Sequence, residues 1–508
     1  MTHRQILLVL SGLMLGMFLA ALDQTIVATA LPTMAGELGG LEHLSWVVTA
    51  YLLTSTVSAP LYGKVSDLCG RKIVFQFAIV TFLIGSVLAG MSQSMGQLIA
   101  FRAIQGIGAG GLIVMALTVV GDVLSPRDRG RYQGYFGAVF ALASVAGPLL
   151  GGFFVDNLSW RWVFYVNLPI GLIALVVVGV VLDLPFHRVS RPVDYFGSAL
   201  LVGGVSALLM VTVWGGSGYE WGSPTILGLV GAGTVLILLF LAQERRAEEP
   251  LLPLRLFRDR TFTITSAAGF IVGVGMFGGI VFLPLFLQVV MGASPTNSGL
   301  LLIPLMAGIV VASTMSGRLI SRTGRYKVFP LIGTCLMALG LWLLSTMGPE
   351  TTILQVSIYM LVLGVGVGQV LQVLVIAVQN AVDARDLGIA TSSATFFRSL
   401  GGSFGTALFG AILTSRLAAD LAGVLPDGAS SPGDMTGSVD LIAQLPDGVR
   451  EAVVEVFSDA ITGAFAVAVP LALFALLLII FLPERPLREV AHVSSGQAEP
   501  IAPGALGH

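Results

Sequence analysis

Apolar stretches of about 18 to 25 residues, parted by short polar loops, recur along nearly the whole 508-residue chain. Each is long enough to cross about 30 Å of hydrocarbon at about 1.5 Å per helical residue. Only 11% of the residues are charged, against about a quarter in soluble domains, so a water-soluble fold could not hide this much apolar surface. The predicted class is an all-α integral membrane protein of fourteen spans. They lie near residues 6–31, 44–62, 73–92, 97–120, 132–155, 163–183, 195–214, 224–242, 262–290, 298–317, 328–347, 353–377, 389–413 and 460–482. The first run passes Asp23 without a cleavage-site pattern and reads as a retained span.

An internal repeat organises these spans. The loop GKVSDLCGRK from Gly63 returns as GRLISRTGRYK from Gly317, and GIGAGG from Gly106 returns as GVGVGQ from Gly364. Offsets of about 254 and 258 keep step across three spans. Two six-span bundles, 1–185 and 261–482, thus flank a central pair and linker, 186–260, that has no counterpart. Parallel repeats of this kind hold a binding site at midplane between the halves. Deleting the central pair should therefore spare the site.

About 21 of the 26 Lys and Arg fall on the side of the N-terminus, which makes both termini cytoplasmic by the positive-inside rule. The outer segment 414–459 is turn-rich and read as a plain linker, although 441–461 has helical apolar spacing. The polar tail 483–508 is read as disordered. Cys69 and Cys335 are expected as free thiols, and five scattered histidines give no metal site. No nucleophile, base or metal cluster suggests an enzyme, no cofactor is expected, and the net charge of −2 gives no reason for nucleic-acid binding.

Several motifs carry physical roles of their own. Gly63 and Gly70 permit a sharp turn between spans 2 and 3, with Lys64, Arg71 and Lys72 anchoring it on the inner face. Asp67 either pairs with those cations or caps a neighbouring helix. GIGAGG matches a dinucleotide-binding pattern, but no strand precedes it; small residues at this spacing instead let helices approach closely. In GPLLGG, Gly147 and Pro148 with Gly151 and Gly152 favour tight packing and a bend in span 5.

With these motifs the chain resembles the major facilitator superfamily, and within it the fourteen-span drug:proton antiporter family. The resemblance covers nearly all of residues 6–482 and rests on GKVSDLCGRK, on RAIQGIGAGG from Arg102, on GPLLGG with Gly134 upstream, and on LDQTIVATALP from Leu22. It implies a transporter of the bacterial cytoplasmic membrane that exports lipophilic, chiefly cationic compounds against protons, and a monomer is expected. It also implies that the loop with Gly63, Asp67, Gly70, Arg71 and Lys72 latches the outward-facing state. Ala143 departs from the family's usual glycine.

Three charges fall well inside spans: Asp23, Arg102 and Arg398. A charge at a helix centre costs about 2.5 to 3.5 kcal/mol, so such residues face a cavity or a partner. Asp23 and Arg102 are assigned to proton coupling, the proton and substrate or Arg102 alternating on Asp23; a structural bridge and a capping role beside Thr25 are the alternatives. Arg398 either reads an anionic headgroup or holds span 13 in place. Trp46, Tyr51, Phe270, Met276, Phe277, Gln288, Gln369, Gln372 and Gln379 are candidates for the cavity wall, the aromatic and Met positions being equally suited to packing or lipid contact. The partners expected are lipophilic small molecules, with export of an endogenous lipid or secondary metabolite as the alternative.

Overall fold

The computed structural model describes residues 3–38, 44–182, 194–215, 219–248, 250–293, 295–383, 386–421 and 446–487. Helix dominates because a lone segment in hydrocarbon can satisfy its peptide groups only within itself. The first part holds α1 (His3–Leu38), α2 (Leu44–Cys69), α3 (Arg71–Gly90), α4 (Met95–Val123), α5 (Pro126–Asn157) and a short α6 (Trp162–Tyr165) that continues into α7 (Asn167–Val181). The central pair is α8 (Tyr195–Trp214) and α9 (Pro224–Glu244). The second part holds α10 (Arg260–Val289), α11 (Pro295–Leu301), α12 (Ile303–Thr323), α13 (Val328–Ser345), α14 (Ile353–Ala381), α15 (Leu387–Leu421) and α16 (Asp447–Ile480).

Among the described residues thirteen helices are long and apolar enough to cross a membrane. The expected second span falls short in composition only: α2 runs for 26 residues but carries seven Ser and Thr with Lys64 and Asp67. It lies against α4 and α15, so much of its polar surface faces protein instead of lipid.

The halves are built alike. α1 packs on α5 and α4 on α2 and α3, just as α10 packs on α15 and α14 on α12 and α13. The glycines of the repeat explain why. A Cβ on Gly106 or Gly110 would enter the α2 backbone at Tyr51 and Ser55, and one on Gly108 would enter α3 at Phe82. Their counterparts Gly364 and Gly368 meet Leu305 and Ile309 of α12, and Gly366 meets Met337 of α13. One helix in each half is thus clasped between two others at backbone contact.

Three expectations change. α8 is no bystander: it packs on α2 and α15 as well as on α9, with Leu201 and Val205 in one apolar cluster with Val57 and Phe396. The segment 447–459 is not a linker but the first turns of α16, because Val453 and Phe457 at helical spacing are buried in the second-half core. Residues 483–487 of the tail pack on the second half, with Tyr326 donating to the Pro483 carbonyl at 2.9 Å and Arg485 paired with Asp259 at 2.8 Å. Residues 422–445 and 488–508 lie outside the described residues.

Gly364→Val should destabilise the second half by about 1 to 3 kcal/mol through overpacking. Gly152→Ala, whose Cβ meets nothing within 4 Å, should leave the thermal midpoint in detergent unchanged or slightly raised. Equal midpoints for the two variants would refute the clasp.

Candidate functional site

Asp23 on α1 and Arg102 on α4 form a direct ion pair, with 0% and 1% of their side chains exposed. Sequence could not place them at one depth; the fold does. Around them Arg102 donates to Gln105 Oε1 at 2.7 Å and to the Val47 carbonyl at 3.3 Å, and Gln105 donates to Asp23 Oδ1 at 2.8 Å. Asn167 of α7 donates to Asp23 Oδ1 at 3.1 Å and to Ser86 Oγ at 3.0 Å. The Tyr51 ring lies 4.1 Å from the Arg102 guanidinium carbon, and its hydroxyl donates to the Ala20 carbonyl at 3.2 Å. Neutral hydrogen-bonding groups therefore surround one carboxylate and one guanidinium, which lowers the cost of burying both. The Asn167 Oδ1 atom is buried without a hydrogen-bond partner among the described residues.

Glycines of α5 bring that helix close to this cluster. Gly147 and Gly151 leave just enough room for Thr25 and Thr29 of α1, and Thr25 donates to the Ala143 carbonyl at 2.9 Å. α5 remains helical through Pro148, whose ring lies near Gly299 of the other half. Gly152 touches nothing there, and the surroundings of Gly134 lie outside the described residues.

The loop after α2 joins the two halves. Asp67 pairs with Arg71 at 2.5 Å and also accepts from the Ile389 N–H of α15 at 3.0 Å, so both roles open to it from sequence are filled. Arg71 reaches on to Asp122 at 2.7 Å and Ser66 at 2.6 Å. Gly70, at φ 96°, makes the turn. Gly63 does not: it lies within α2, where any Cβ would strike Ser392 and the Gly388 carbonyl of α15. Lys72 lies in the first turn of α3 and is half-buried. Beside this loop Arg129 donates to Gln379 Oε1 at 2.9 Å, while Gln379 donates to the Leu117 carbonyl at 3.1 Å. Gln379 thus belongs to the seal on the loop side and not to the cavity.

Between the halves lies a cavity of about 630 Å³. Its wall stops at Ala59 on α2, Leu117 on α4 and Thr395 on α15, short of the loop side on each. Tyr51, Met276, Phe277, Gln372 and Arg398 line it. Trp46, Phe270, Gln288 and Gln369 do not. Trp46 is edge-on to Trp214 at 5.5 Å, Phe270 packs against Phe404 at 5.8 Å, Gln288 donates to Ser298 at 2.9 Å, and Gln369 faces Gly333 of α13. Helical phase separates them from the cavity face. Leu209, Thr212 and Gly215 at the end of α8 complete the wall, so the central pair contributes to the site that its deletion was expected to spare.

A model of the Major Facilitator Superfamily matches residues 13–406. The chain belongs to that superfamily. It is 42% identical to the multidrug transporter protein MdtP of Bacillus subtilis over 80% of this chain and 75% of that one. It is 35% identical to multidrug resistance protein 3 of the same organism over 96% and 97%. A third relative, the acurin A biosynthesis cluster MFS-type transporter of Aspergillus aculeatus, is 36% identical over 78% and 73%. The solved structure of the proton:xylose symporter XylE shares the fold, with a TM-score of 0.64 at 15% identity over 97% of this chain and 99% of that one. The protein is a multi-span membrane transporter of this superfamily with multidrug-efflux relatives, and not an enzyme.

Sequence reading missed Ser86, Gln105, Asn167, Asp122 and Arg129, all uncharged or near span ends. Only Gln105 carried a usable signal, since it follows Arg102 by three residues and so shares its helix face.

Asp67 lies past the end of the second predicted span, and burial pushes its carboxyl up to about 6, against the pull of Arg71 and the Ile389 N–H. In a hydrated, parted loop it would titrate near about 3.9. The joined state therefore binds the proton more tightly: acid favours it, and that advantage is lost as pH rises through about 6. Spin labels on the loop-side ends of α2 and α15 should show a larger closed population at pH 5 than at pH 8, and Asp67→Asn should remove the difference. A larger closed population at pH 8 would contradict this assignment.

Proposed function

We propose that this protein is a proton-coupled exporter of lipophilic small molecules, working by alternating access with Asp23 and Arg102 as the coupling pair. The observation that carries the reading is the position of Tyr51: one face stacks on Arg102 and the residue also lines the cavity. Tyr51 is only 1% exposed, so a ligand that shifts the wall around it would act on Tyr51 from the cavity side, and through it on the ion pair. Asp23 itself is 0% exposed, so proton and substrate need not occupy the same space.

Protonating Asp23 removes the charge that Arg102 answers and creates a donor that needs an acceptor. Asn167 Oδ1 is such an acceptor in reserve, since a half-turn of the amide would bring it against the carboxyl. The rise and fall of this pair would then bias the rocking of the halves. A membrane potential of 100 mV contributes about 2.3 kcal/mol per charge moved, enough for a useful gradient at one proton per cycle.

The joined loop side supports reading this conformation as latched there, with the cavity facing away. Placing the loop in the cytoplasm, as the cation distribution favours, makes the state outward-facing and both termini cytoplasmic. A mostly apolar cavity of this size suits drug-sized amphiphiles. The resemblance implied cations, but among the described residues no carboxylate lines the wall. The second reading, export of a secondary metabolite, is favoured by the relative named for a biosynthesis cluster.

In proteoliposomes, dye efflux should require a pH gradient and vanish with an uncoupler. Asp23→Asn should abolish substrate-driven proton flux, and removing one partner of the buried pair should also cost on the order of 3 to 5 kcal/mol of stability. Undiminished flux in a folded Asp23→Asn protein would sink the coupling role.

A further inference from the structure

Three other buried arginines among the described residues are answered from within the protein. Arg102 faces Asp23, Arg71 lies between Asp67 and Asp122, and Arg129 is held by Gln379 and by the carbonyls of Leu124 and Gly121. Arg398 differs. It sits about three turns into α15, lines the cavity, and makes no hydrogen bond or ion pair with any described residue. It is held at that depth by its backbone, which is in such close contact with α10 that a Cβ on Gly273 would strike its carbonyl.

The rest of the wall does not answer it. Arg398 is the only charged residue lining the cavity among the described residues. The hydroxyls of Ser144, Thr212, Ser313, Thr395, Ser403 and Thr406 all donate to backbone carbonyls, so what they offer toward the cavity is a neutral oxygen and no charge to balance Arg398. A guanidinium in an apolar enclosure is weakly screened, keeps its proton, and matches an oxyanion through two parallel N–H donors. A lipophilic cation entering the same space meets a like charge and no carboxylate.

We infer that the cavity selects amphiphilic anions, an apolar body carrying one carboxylate, sulfonate or phosphate group, and that Arg398 is the residue that reads the anionic head. This rests on the export reading above and reverses the charge preference that the family resemblance implied. The apolar lining takes the body and Arg398 fixes its orientation. Tyr51, on the same wall, passes the occupancy to the coupling pair.

The test compares three probes with one apolar body: 2-naphthylacetate, its methyl ester, and naphthylmethyl-trimethylammonium. Binding to the full-length protein in zwitterionic nanodiscs is measured by calorimetry, with empty nanodiscs subtracted. The carboxylate should bind at least about tenfold more tightly than the ammonium. Arg398→Gln should weaken the carboxylate about tenfold or more and the ester by less than about threefold, whereas Arg398→Lys should keep the order of the probes. Ammonium binding as tight as carboxylate binding, or an equal loss of all three probes in Arg398→Gln, overturns the charge assignment and leaves the export reading standing. Binding of none of the three overturns both. Should Arg398→Gln fail to fold, the order of probes in the unmodified protein and in Arg398→Lys still decides.

Discussion

Asp23 and Arg102 face each other with almost no exposure, in surroundings where either charge alone would be costly to hold. Much of the first half is arranged so that they can. α1 supplies the carboxylate, α4 the guanidinium and Gln105, α3 the Ser86 hydroxyl and α7 the Asn167 amide, while α2 lays Tyr51 over the arginine. Five helices converge on one charge pair. Small residues make that convergence possible: Gly85 meets the backbone of Gln105, Gly106 meets Tyr51, and Gly147 meets Thr25. The glycine-rich motifs and the intramembrane charges are thus parts of one device.

The second half keeps the scaffold and changes the chemistry. Gly364, Gly366 and Gly368 clasp α14 as their counterparts clasp α4, yet this half answers no arginine with a carboxylate at midplane among the described residues. Its intramembrane cation, Arg398, stands on α15 and lines the cavity instead. Divergence of the repeats fits a proposed division of labour, with the proton handled within the first half and the substrate's head group on the wall of the second. Tyr51 and the cavity lie where the two meet.

Contacts between the halves follow the same electrostatic logic at the loop side. Asp67 answers both Arg71 and the N-terminus of α15, where unpaired N–H groups favour a negative charge. Gln379 and Arg129 add a second tie. Both ties are polar and lie at helix ends. The halves also meet along α5–α12 and α2–α15, and α8 packs on the second of these contacts through Val57 and Phe396.

Span length, composition and spacing were enough to show that the chain is a membrane-spanning helical protein, that it repeats, and which loop and glycine motifs it carries. These are local properties: span length, composition and spacing survive without knowledge of any neighbour. The sequence also marked Asp23, Arg102 and Arg398 as the charges to be explained, because hydrocarbon makes any charge conspicuous. Which of them pair depends on the packing of whole helices. Depth and rotation of each helix set those distances, and they follow from packing at Gly106, Gly147 and Gly364 that no single segment encodes. The same rotation sends Gln372 to the cavity and Gln369, three residues earlier, to Gly333. It also put α8 into the cavity wall and left Arg398 without a partner among the described residues, which no reading of composition could have separated from a buried structural arginine.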